Sequence, residues 1–213
     1  MTDLSSGAAS ALTTPRVFTL SDFDFSLPPE LIAQHPAPER SASRLLDGRA
    51  AEPVDRVFRE LPGLLRAGDL VVFNNTQVVK ARLFGEKSTG GKVELLVERV
   101  LPGPGHEVVA HMKVSKKPPV GTELLMVGGY TATLLGRWPN DDGQLFRFKF
   151  SDEPHTLMQA HGHMPLPPYI ERHQNQDGAA PDSPEQQAED ERRYQTVFAK
   201  TPGAAAAPTA ALH

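Results

Sequence analysis

Leu145-Phe146-Arg147-Phe148-Lys149-Phe150 alternates aromatic and basic side chains, and this run is the clearest indication of the fold class in the chain. Successive side chains of an extended backbone point to opposite faces. The three phenylalanines therefore share one face, and Arg147 and Lys149 share the other. This alternation predicts a half-buried β-strand whose aromatic face lies on a core.

Short apolar runs upstream of Leu145 have the same character. Most of them are separated by glycine-rich or proline-rich turns, which predicts further strands at 70–73, 81–84, 93–101, 107–114, 123–127 and 130–135. Six or seven short antiparallel strands at this spacing predict a small sheet that closes into a barrel.

The residues on either side of these strands show helical patterns. Before them, a short helix is predicted at 29–34, and a weaker pattern that Pro62 interrupts is predicted at 54–65. After them, a helix capped by Ser151 or Asp152 is predicted, with Gly162 as its left-handed exit. A second helix is predicted at 188–198.

The order mixed, all-β, mixed predicts a fold that combines α/β and all-β parts. We assign 66–153 to an antiparallel β-barrel domain inserted into a larger, distorted barrel-like α/β domain, built from 16–65 and 154–213. About 110 residues flank the barrel, which is thin for a second independent core. We therefore expect the larger domain to be incomplete in these 213 residues.

The composition is that of a globular protein, with 39% apolar residues and 20 prolines. The absence of cysteine excludes a disulfide framework and a thiolate metal site, which makes the cytoplasm the default location. Residues 1–15 lack the basic start and apolar centre of a signal peptide, so we expect a disordered extension there. No apolar run approaches bilayer length.

The net charge of −4 is unevenly distributed along the sequence. Residues 80–150 contain 11 Lys and Arg against 7 Asp and Glu, which gives +4 there and −8 elsewhere. A polyanionic ligand would prefer this middle region, although an ordinary solvated β surface has the same composition. Residues 171–191 carry seven carboxylates and one arginine, which predicts a mobile acidic loop at 172–188.

The ten residues His161-Gly162-His163-Met164-Pro165-Leu166-Pro167-Pro168-Tyr169-Ile170 form what we call the proline segment. Its prolines fix the backbone torsion φ and remove donors, so the segment should be a stiff, extended connector. A rigid backbone that carries imidazole and phenol groups is suited to a site. A proline-rich loop with solvated histidines is the alternative.

Several blocks of the sequence resemble, in order, the S-adenosylmethionine:tRNA ribosyltransferase-isomerase family of queuosine biosynthesis. The resemblance runs from about Phe18 to His213. Its blocks are Ser21-Asp22-Phe23-Asp24-Phe25-Ser26-Leu27-Pro28, Ile32-Ala33-Gln34-His35-Pro36, Glu39-Arg40-Ser41, Asn74-Asn75-Thr76-Gln77-Val78-Val79-Lys80-Ala81-Arg82-Leu83-Phe84-Gly85, Gly90-Gly91-Lys92-Val93-Glu94-Leu95-Leu96, Gly162 to Ile170, Tyr194-Gln195-Thr196-Val197 and Pro202 to His213.

The chain departs from the family pattern in three respects. Family members carry a substantial further α/β portion after the block that ends at His213, so the resemblance identifies this chain as an amino-terminal fragment. Gln77 stands where an arginine is common, and this removes a cation that could touch phosphate. Ala211 stands where glycine is usual, and its Cβ restricts the backbone.

The resemblance implies transfer and isomerisation of the ribosyl part of S-adenosylmethionine onto 7-aminomethyl-7-deazaguanine at the tRNA wobble position. The products would be epoxyqueuosine in tRNA, adenine and methionine. S-adenosylmethionine would be a co-substrate, and no other cofactor, metal or membrane is expected. The partner would be a tRNA with a queuosine-type anticodon, and the oligomeric state is open.

The reaction needs acid–base groups and a surround for the sulfonium. We assign the catalytic roles to His163, Tyr169 and His213, because imidazole exchanges protons near neutral pH and an aromatic face such as Tyr169 or Trp138 favours a cation. For His163 the alternative is a structural histidine, and for His213 a frayed terminus.

Substrate-binding roles are expected for two further groups of side chains. Asn74, Asn75 and Thr76 would bond ribose or the modified base, or alternatively form a turn that bonds its own backbone. The cations expected to contact tRNA phosphates are Arg82, Lys92, Lys113, Lys116 and Lys117. Ordinary charge on a barrel surface is the alternative for these cations.

Two other function classes are compatible with parts of the sequence. A metal-dependent hydrolase would use His155, His161, His163 and His173, but their spacing matches no familiar ligand pattern. A non-catalytic module that binds tRNA through the barrel is the second alternative. We expect the 213 residues alone to have little or no turnover.

Overall fold

The computed structural model describes residues 16–172 and 183–213. The chain divides into two compact units, the first ending at Ile32 and the second extending from Ala33 to His213.

The first unit contains short 3-10 helices at Leu20–Phe23 and Pro29–Leu31. The Asp22 carboxylate fixes the first of them by accepting from the backbone N–H and the hydroxyl of Thr19, at 2.8 and 2.9 Å. The prediction of a helix at 29–34 is therefore wrong in extent. Its proline starts a single 3-10 turn, because the chain at Ile32 is already extended.

The second unit contains the other regular elements. In chain order its strands and α-helices are β1 (Arg44–Asp47), β2 (Val54–Val57), β3 (Thr76–Val78), β4 (Arg82–Lys87), β5 (Lys92–Val100), β6 (Glu107–Val114), β7 (Glu123–Met126), β8 (Thr131–Trp138), β9 (Leu145–Phe150), α1 (Pro154–His161), α2 (Pro184–Arg193) and β10 (Thr201–Ala204). Short 3-10 helices also lie at Arg40–Ala42, Phe58–Leu64 and Thr209–Ala211.

Strands β4 to β9 form a closed antiparallel barrel in the order β4-β5-β6-β9-β8-β7. Strand β4 closes it by pairing with β5 on one side and β7 on the other. The barrel expected from the sequence is thereby confirmed, and β9 covers the same six residues as the run that predicted it. Phe146, Phe148 and Phe150 are all buried, as their alternation with Arg147 and Lys149 requires.

The barrel interior is the main hydrophobic core. Its fully buried members include Leu83, Leu95, Leu124 and Phe148, one from each of four different strands. Helix α1 contributes Leu157 and Met158 to the same cluster. Burial of such side chains is the principal stabilising term of a small barrel.

A second, smaller cluster lies beside the parallel pair β3–β10. It consists of the buried residues Val78, Met164, Leu166, Tyr194 and Ala207. Because β10 pairs with β3, the chain that precedes the barrel lies against the chain that follows α2. The boundaries assigned to the inserted and larger domains stay predictions.

Two sequence-based elements before the barrel differ from the structure. The helical pattern at 54–65 is wrong in its first part, because Val54–Val57 pairs with β1 as an antiparallel strand before a 3-10 helix begins at Phe58. Residues 70–73 were expected to form a strand. They pair with no strand in the described parts of the chain, and Leu70 is 89% exposed. Apolar residues alone do not make a strand without a partner edge.

The helices after the barrel begin and end differently from expectation. Glu153, rather than Ser151 or Asp152, caps α1 by accepting from the backbone N–H of the second and third residues of the helix, at 3.0 and 2.6 Å. Gly162 follows α1 with φ −86°, so the prediction of a left-handed exit is wrong. Helix α2 starts at Pro184 and ends at Arg193, four and five residues earlier than predicted.

Two further expectations concern segments that are described in part or not at all. The disordered extension at 1–15 lies outside the described residues. Most of the acidic loop expected at 172–188, namely 173–182, also lies outside the described residues. The end of that loop is helical, because α2 begins at Pro184. Within the described residues, no helix has the length and apolar character needed to cross a bilayer.

Candidate functional site

The proline segment is attached to the barrel wall by a backbone bridge. His163 N–H donates to the carbonyl oxygen of Arg82 at 2.9 Å, and Arg82 N–H donates to the carbonyl oxygen of His163 at 3.2 Å. The segment is extended here, as its prolines require. The bridge fixes the backbone of His163 relative to β4.

Gly162 allows this close approach. A Cβ on residue 162 would overlap the carbonyl oxygen of Lys80, the residue two before β4. The glycine is therefore required by steric contact with backbone, and not by the left-handed conformation that its place after a helix suggests.

The outer face of the barrel beneath the segment carries both apolar and charged side chains. Along β4 and β5 the odd-numbered residues point into the core, so Arg82, Phe84, Lys92 and Glu94 share the outer face. Phe84 is buried nevertheless, and its ring lies 5.2 Å from the His163 ring, inclined at 58°. Phe84 and His163 are thus in aromatic contact at the wall.

A groove of about 810 Å³ lies between this wall and the end of the proline segment. Its charged and polar lining comprises Arg82, Lys92, Glu94, Lys113, Ser115, Glu171 and Arg172, and its larger apolar lining comprises Phe84, Val93, Val114, Pro168 and Ile170. A concave surface with apolar walls and a few charged groups is the usual form of a small-molecule site. We call it the barrel groove.

Arg82 and Glu94 form an ion pair within the barrel groove. Arg82 Nε lies 3.2 Å from Glu94 Oε1, and the side chains are 22% and 27% exposed. A second nitrogen of the guanidinium donates to the carbonyl oxygen of Leu166 at 3.2 Å. Arg82 therefore joins the barrel wall to the proline segment through its side chain as well as its backbone.

Gln34 holds the far end of the proline segment. Its Nε2 donates to the carbonyl oxygen of Tyr169 at 3.0 Å, and its Oε1 accepts from Glu171 N–H at 2.7 Å. A glutamine amide has the same donor and acceptor pair as a peptide group, so it can stand in for a neighbouring strand. This contact sets the direction of the chain at the groove rim.

A buried ion pair continues this anchoring. Two donors of the Arg172 guanidinium, Nε and Nη2, reach the Asp190 carboxylate at 2.8 Å each, and the two side chains are only 8% and 6% exposed. Gln186 Nε2 donates to the same carboxylate at 3.1 Å. A bidentate, hydrogen-bonded pair is geometrically specific, so Arg172 ties the groove rim to helix α2.

The smaller hydrophobic cluster supports the segment from below. Tyr194 is buried in it, and this burial raises the pKa of its phenol above the usual value, opposed by a hydrogen bond with the backbone of Ala207. Met164 and Leu166 of the proline segment pack in the same cluster. Alternate residues of the segment are thus held by apolar contacts.

The structure brings some of the expected site residues together. Arg82, Lys92 and Lys113 line the barrel groove. His163 is outside the described groove lining, but its ring contacts that of Phe84, which does line the groove. Tyr169 is 53% exposed, and within the described lining it is the neighbouring Pro168 and Ile170 that face the groove.

Other expected residues lie elsewhere. The His213 ring lies 5.6 Å from the Phe58 ring, so this side chain packs against the protein, unlike the frayed terminus given as the alternative. Asn74 Oδ1 accepts from Thr76 N–H at 2.8 Å, the self-bonding turn given as the alternative. The carbonyl oxygen of Asn75 accepts from Lys200 and Thr201 N–H, which holds β10 in place.

The remaining cations and aromatics occupy the barrel surface. Lys116 and Lys117 are exposed on the loop after β6, and Lys117 Nζ lies 5.5 Å from the Phe146 ring centroid. Trp138 ends strand β8 and does not belong to the described groove lining.

A set of three or more His, Cys, Asp or Glu side chains arranged to hold a metal is absent from residues 16–172 and 183–213. His161 instead stacks on Tyr130, with 5.7 Å between ring centroids.

Sequence reasoning did not single out Phe84, Glu94, Ile170 or Arg172 as site residues. For Phe84 and Glu94 the sequence does contain a signal. Both alternate with the core-facing residues of their strands, so both are predicted to lie on the outer face of the barrel. For Ile170 and Arg172 there was none. Their position depends on the turn of the chain after the prolines and on the contact between Arg172 and Asp190.

Comparison with known proteins gives three findings. A family described as queuosine biosynthesis protein matches residues 20–213. The chain is 49% identical over 203 residues to the S-adenosylmethionine:tRNA ribosyltransferase-isomerase of Burkholderia pseudomallei (strain 1106a), covering 92% of this chain and 51% of that protein. The protein of the same name from Burkholderia mallei (strain SAVP1) gives the same identity and coverage.

A solved structure is also similar to the chain. It is the S-adenosylmethionine tRNA ribosyltransferase of Thermotoga maritima, 34% identical, with 70% of this chain and 52% of that chain covered and a TM-score of 0.33. The chain spans about half the length of the curated relatives it matches. Because the family match covers residues 20–213, which is nearly the whole chain, the chain belongs to the queuosine biosynthesis protein family.

Proposed function

We propose that the chain carries part of the machinery that transfers and isomerises the ribosyl group of S-adenosylmethionine on a tRNA wobble base. The acceptor is 7-aminomethyl-7-deazaguanine, and the products are epoxyqueuosine in tRNA, adenine and methionine. The observation that carries the proposal is the barrel groove, because two separate blocks of family-like sequence, on β5 and on the proline segment, form its opposite sides.

The chemistry needs a proton acceptor near the ribose carbon beside sulfur, and a proton donor for the departing adenine. His163 is the group that we assign to one of these exchanges. Its backbone is fixed by the bridge to Arg82 and its ring by contact with Phe84. A preorganised group loses little entropy when substrate binds, which favours this assignment over an exposed histidine. Tyr169 and His213 remain proposed catalytic residues with weaker geometric support.

The tRNA would approach the barrel face that carries Lys92, Lys113, Lys116 and Lys117. Lys92 and Lys113 line the groove, and Lys116 and Lys117 lie on the adjoining loop. Loop bases of an anticodon are already partly unstacked, so presenting one to a groove takes less energy than extracting it from a duplex. Asn74, Asn75 and Thr76 remain proposed substrate contacts, although their hydrogen bonds favour a structural turn.

Binding and product release test this proposal together. The chain should bind S-adenosylmethionine in a calorimetric titration and should bind tRNA in a fluorescence anisotropy titration. With tRNA that carries the aminomethyl precursor, we expect little or no release of adenine from the 213 residues, as measured by chromatography. Failure to bind S-adenosylmethionine would contradict the proposal, and robust adenine release would contradict the expected inactivity.

A non-catalytic tRNA-binding module is the second candidate. It is favoured by the closed barrel, which buries its own core within residues 81–158. Such a module would bind tRNA and leave S-adenosylmethionine unbound. The two titrations therefore separate the candidates even where adenine release is low for both.

A further inference from the structure

The Arg82–Glu94 pair differs from the other partly or fully buried ion pair near the groove. Arg172 and Asp190 are joined by two hydrogen bonds and almost fully covered. Arg82 Nε, in contrast, is shielded from water and lies 3.2 Å from Glu94, yet it has no acceptor of hydrogen-bond geometry in the described structure. A shielded guanidinium donor without an acceptor is rare in proteins.

Both charged ends of this pair remain partly accessible from the groove. Their side chains are 22% and 27% exposed, and both residues line the groove. Glu94 is also the direct cross-strand partner of Lys113, so it lies in a mainly cationic neighbourhood. The pair therefore presents an acid and a base side by side, and neither has the full set of partners that a purely structural pair such as Arg172–Asp190 has.

An adjacent acid and base complement a ligand that carries a carboxylate and an ammonium on neighbouring atoms. The α-amino acid group has this arrangement. On its approach, one weak ion pair would be replaced by two charge-assisted pairs, guanidinium to carboxylate and ammonium to carboxylate. The apolar lining of the same groove, Phe84 and Ile170, suits the short aliphatic chain that follows such a group.

We propose that Arg82 and Glu94 bind the methionine end of S-adenosylmethionine, Arg82 its carboxylate and Glu94 its ammonium. This inference rests on the proposed function, and it assigns Arg82 to the small co-substrate and not to a tRNA phosphate. The backbone bridge between Arg82 and His163 gives the assignment a structural consequence, because the group that anchors the ligand and the proposed acid–base residue belong to one rigid connection.

Calorimetric titration with two probes tests the assignment. The first probe is S-adenosylmethionine, and the second is its decarboxylated form, which keeps the sulfonium and the amine but lacks the carboxylate. We expect Arg82→Gln to weaken binding of the first probe about tenfold or more and to leave binding of the second nearly unchanged. Glu94→Gln should weaken both probes, because both carry the ammonium.

A matched control is available on the same barrel. Arg147 and Glu107 form another cross-strand Arg–Glu pair, and neither belongs to the described lining of the groove. Arg147→Gln and Glu107→Gln should leave both affinities unchanged. Circular dichroism spectra will show whether each variant is folded. If Arg82→Gln does not fold, Arg82→Lys supplies the comparison between the two probes, and Glu94→Gln tests the ammonium contact by weakening both of them.

The outcomes separate this inference from the function on which it rests. If the unaltered chain binds S-adenosylmethionine but Arg82→Gln weakens both probes equally, the inference is wrong and the proposed function stands. If the unaltered chain binds neither probe, the proposed function fails, and the inference fails with it. Selective loss of the carboxylate-bearing probe in Arg82→Gln supports both.

Discussion

The side-chain amide of Gln195 pairs with both backbone groups of Val78. Its Nε2 donates to the carbonyl oxygen of Val78 at 2.7 Å, and its Oε1 accepts from Val78 N–H at 2.9 Å. Val78 ends strand β3 and belongs to the cluster beneath the proline segment. A residue 117 positions away thus provides the hydrogen bonds that an adjacent strand would provide.

Replacement of Gln195 by alanine should destabilise the fold. The change leaves the N–H and carbonyl groups of a buried residue without these partners, and we expect the free energy of unfolding to fall by about 2 kcal/mol. Urea denaturation followed by the fluorescence of Trp138 measures it. Gln144→Ala, on the exposed turn before β9, should change stability by less than about 0.5 kcal/mol. Equal effects of the two changes would contradict the structural role of Gln195.

Gly162→Ala should be more damaging than a glycine substitution normally is. The added methyl group would overlap backbone oxygen, which cannot move aside as a flexible side chain can. We expect a loss of about 3 kcal/mol in the free energy of unfolding. Gly63→Ala is the control, because a Cβ there would meet no atom within 4 Å apart from those of its own local chain. If both variants are equally stable, the segment does not approach the chain at Lys80 as closely as described.

Stability should decline at alkaline pH, partly through Tyr194. Burial raises the pKa of this phenol in the folded chain, so above about pH 10 the unfolded chain loses the proton first. The contribution is therefore complete below the unfolded pKa and is lost as the pH rises toward the folded pKa. Tyr194→Phe should make the fall in unfolding free energy between about pH 9.5 and 11 less steep.

The steepness should not vanish in Tyr194→Phe, because burial also raises the pKa of Tyr130. Urea denaturation at a series of pH values gives the slope of unfolding free energy against pH for the unaltered chain and for Tyr194→Phe. Identical slopes for the unaltered chain and the variant would show that the Tyr194 phenol titrates alike in the folded and unfolded states.

Binding to tRNA should depend on salt through the lysines of the barrel face. The triple change of Lys113, Lys116 and Lys117 to alanine should weaken binding, and it should reduce the slope of log affinity against log salt by about 2 to 3. Anisotropy titrations at several salt concentrations measure this slope. The matched control replaces Arg44, Arg66 and Lys200, which removes the same charge from exposed positions outside the barrel strands.

Unchanged affinity in the triple variant would remove this barrel face from the proposed tRNA-binding surface. An equal loss in the control variant would mean that the total charge of the chain, and not the position of the lysines, determines affinity.

The barrel could be predicted from the sequence alone. Alternation of apolar and polar residues is a local property, and in β9 it places Phe146, Phe148 and Phe150 on one face of the strand, the face that is buried in the barrel. The family resemblance, too, depended on short ordered blocks. The same local reasoning was wrong for 70–73, because an apolar run becomes a strand only where another backbone edge pairs with it.

The candidate site, in contrast, depends on contacts that exist only in the folded chain. Arg82 and His163 are 81 positions apart, and their pairing depends on closure of the barrel and on the room that Gly162 leaves at Lys80. Glu94 becomes a candidate site residue because it pairs with Arg82 across the sheet. Arg172 becomes one because it pairs with Asp190, on a helix that begins earlier in the chain than the sequence pattern predicts. Periodicity specifies which face of an element is buried, but the partners that meet across elements are set by packing and hydrogen bonding in three dimensions.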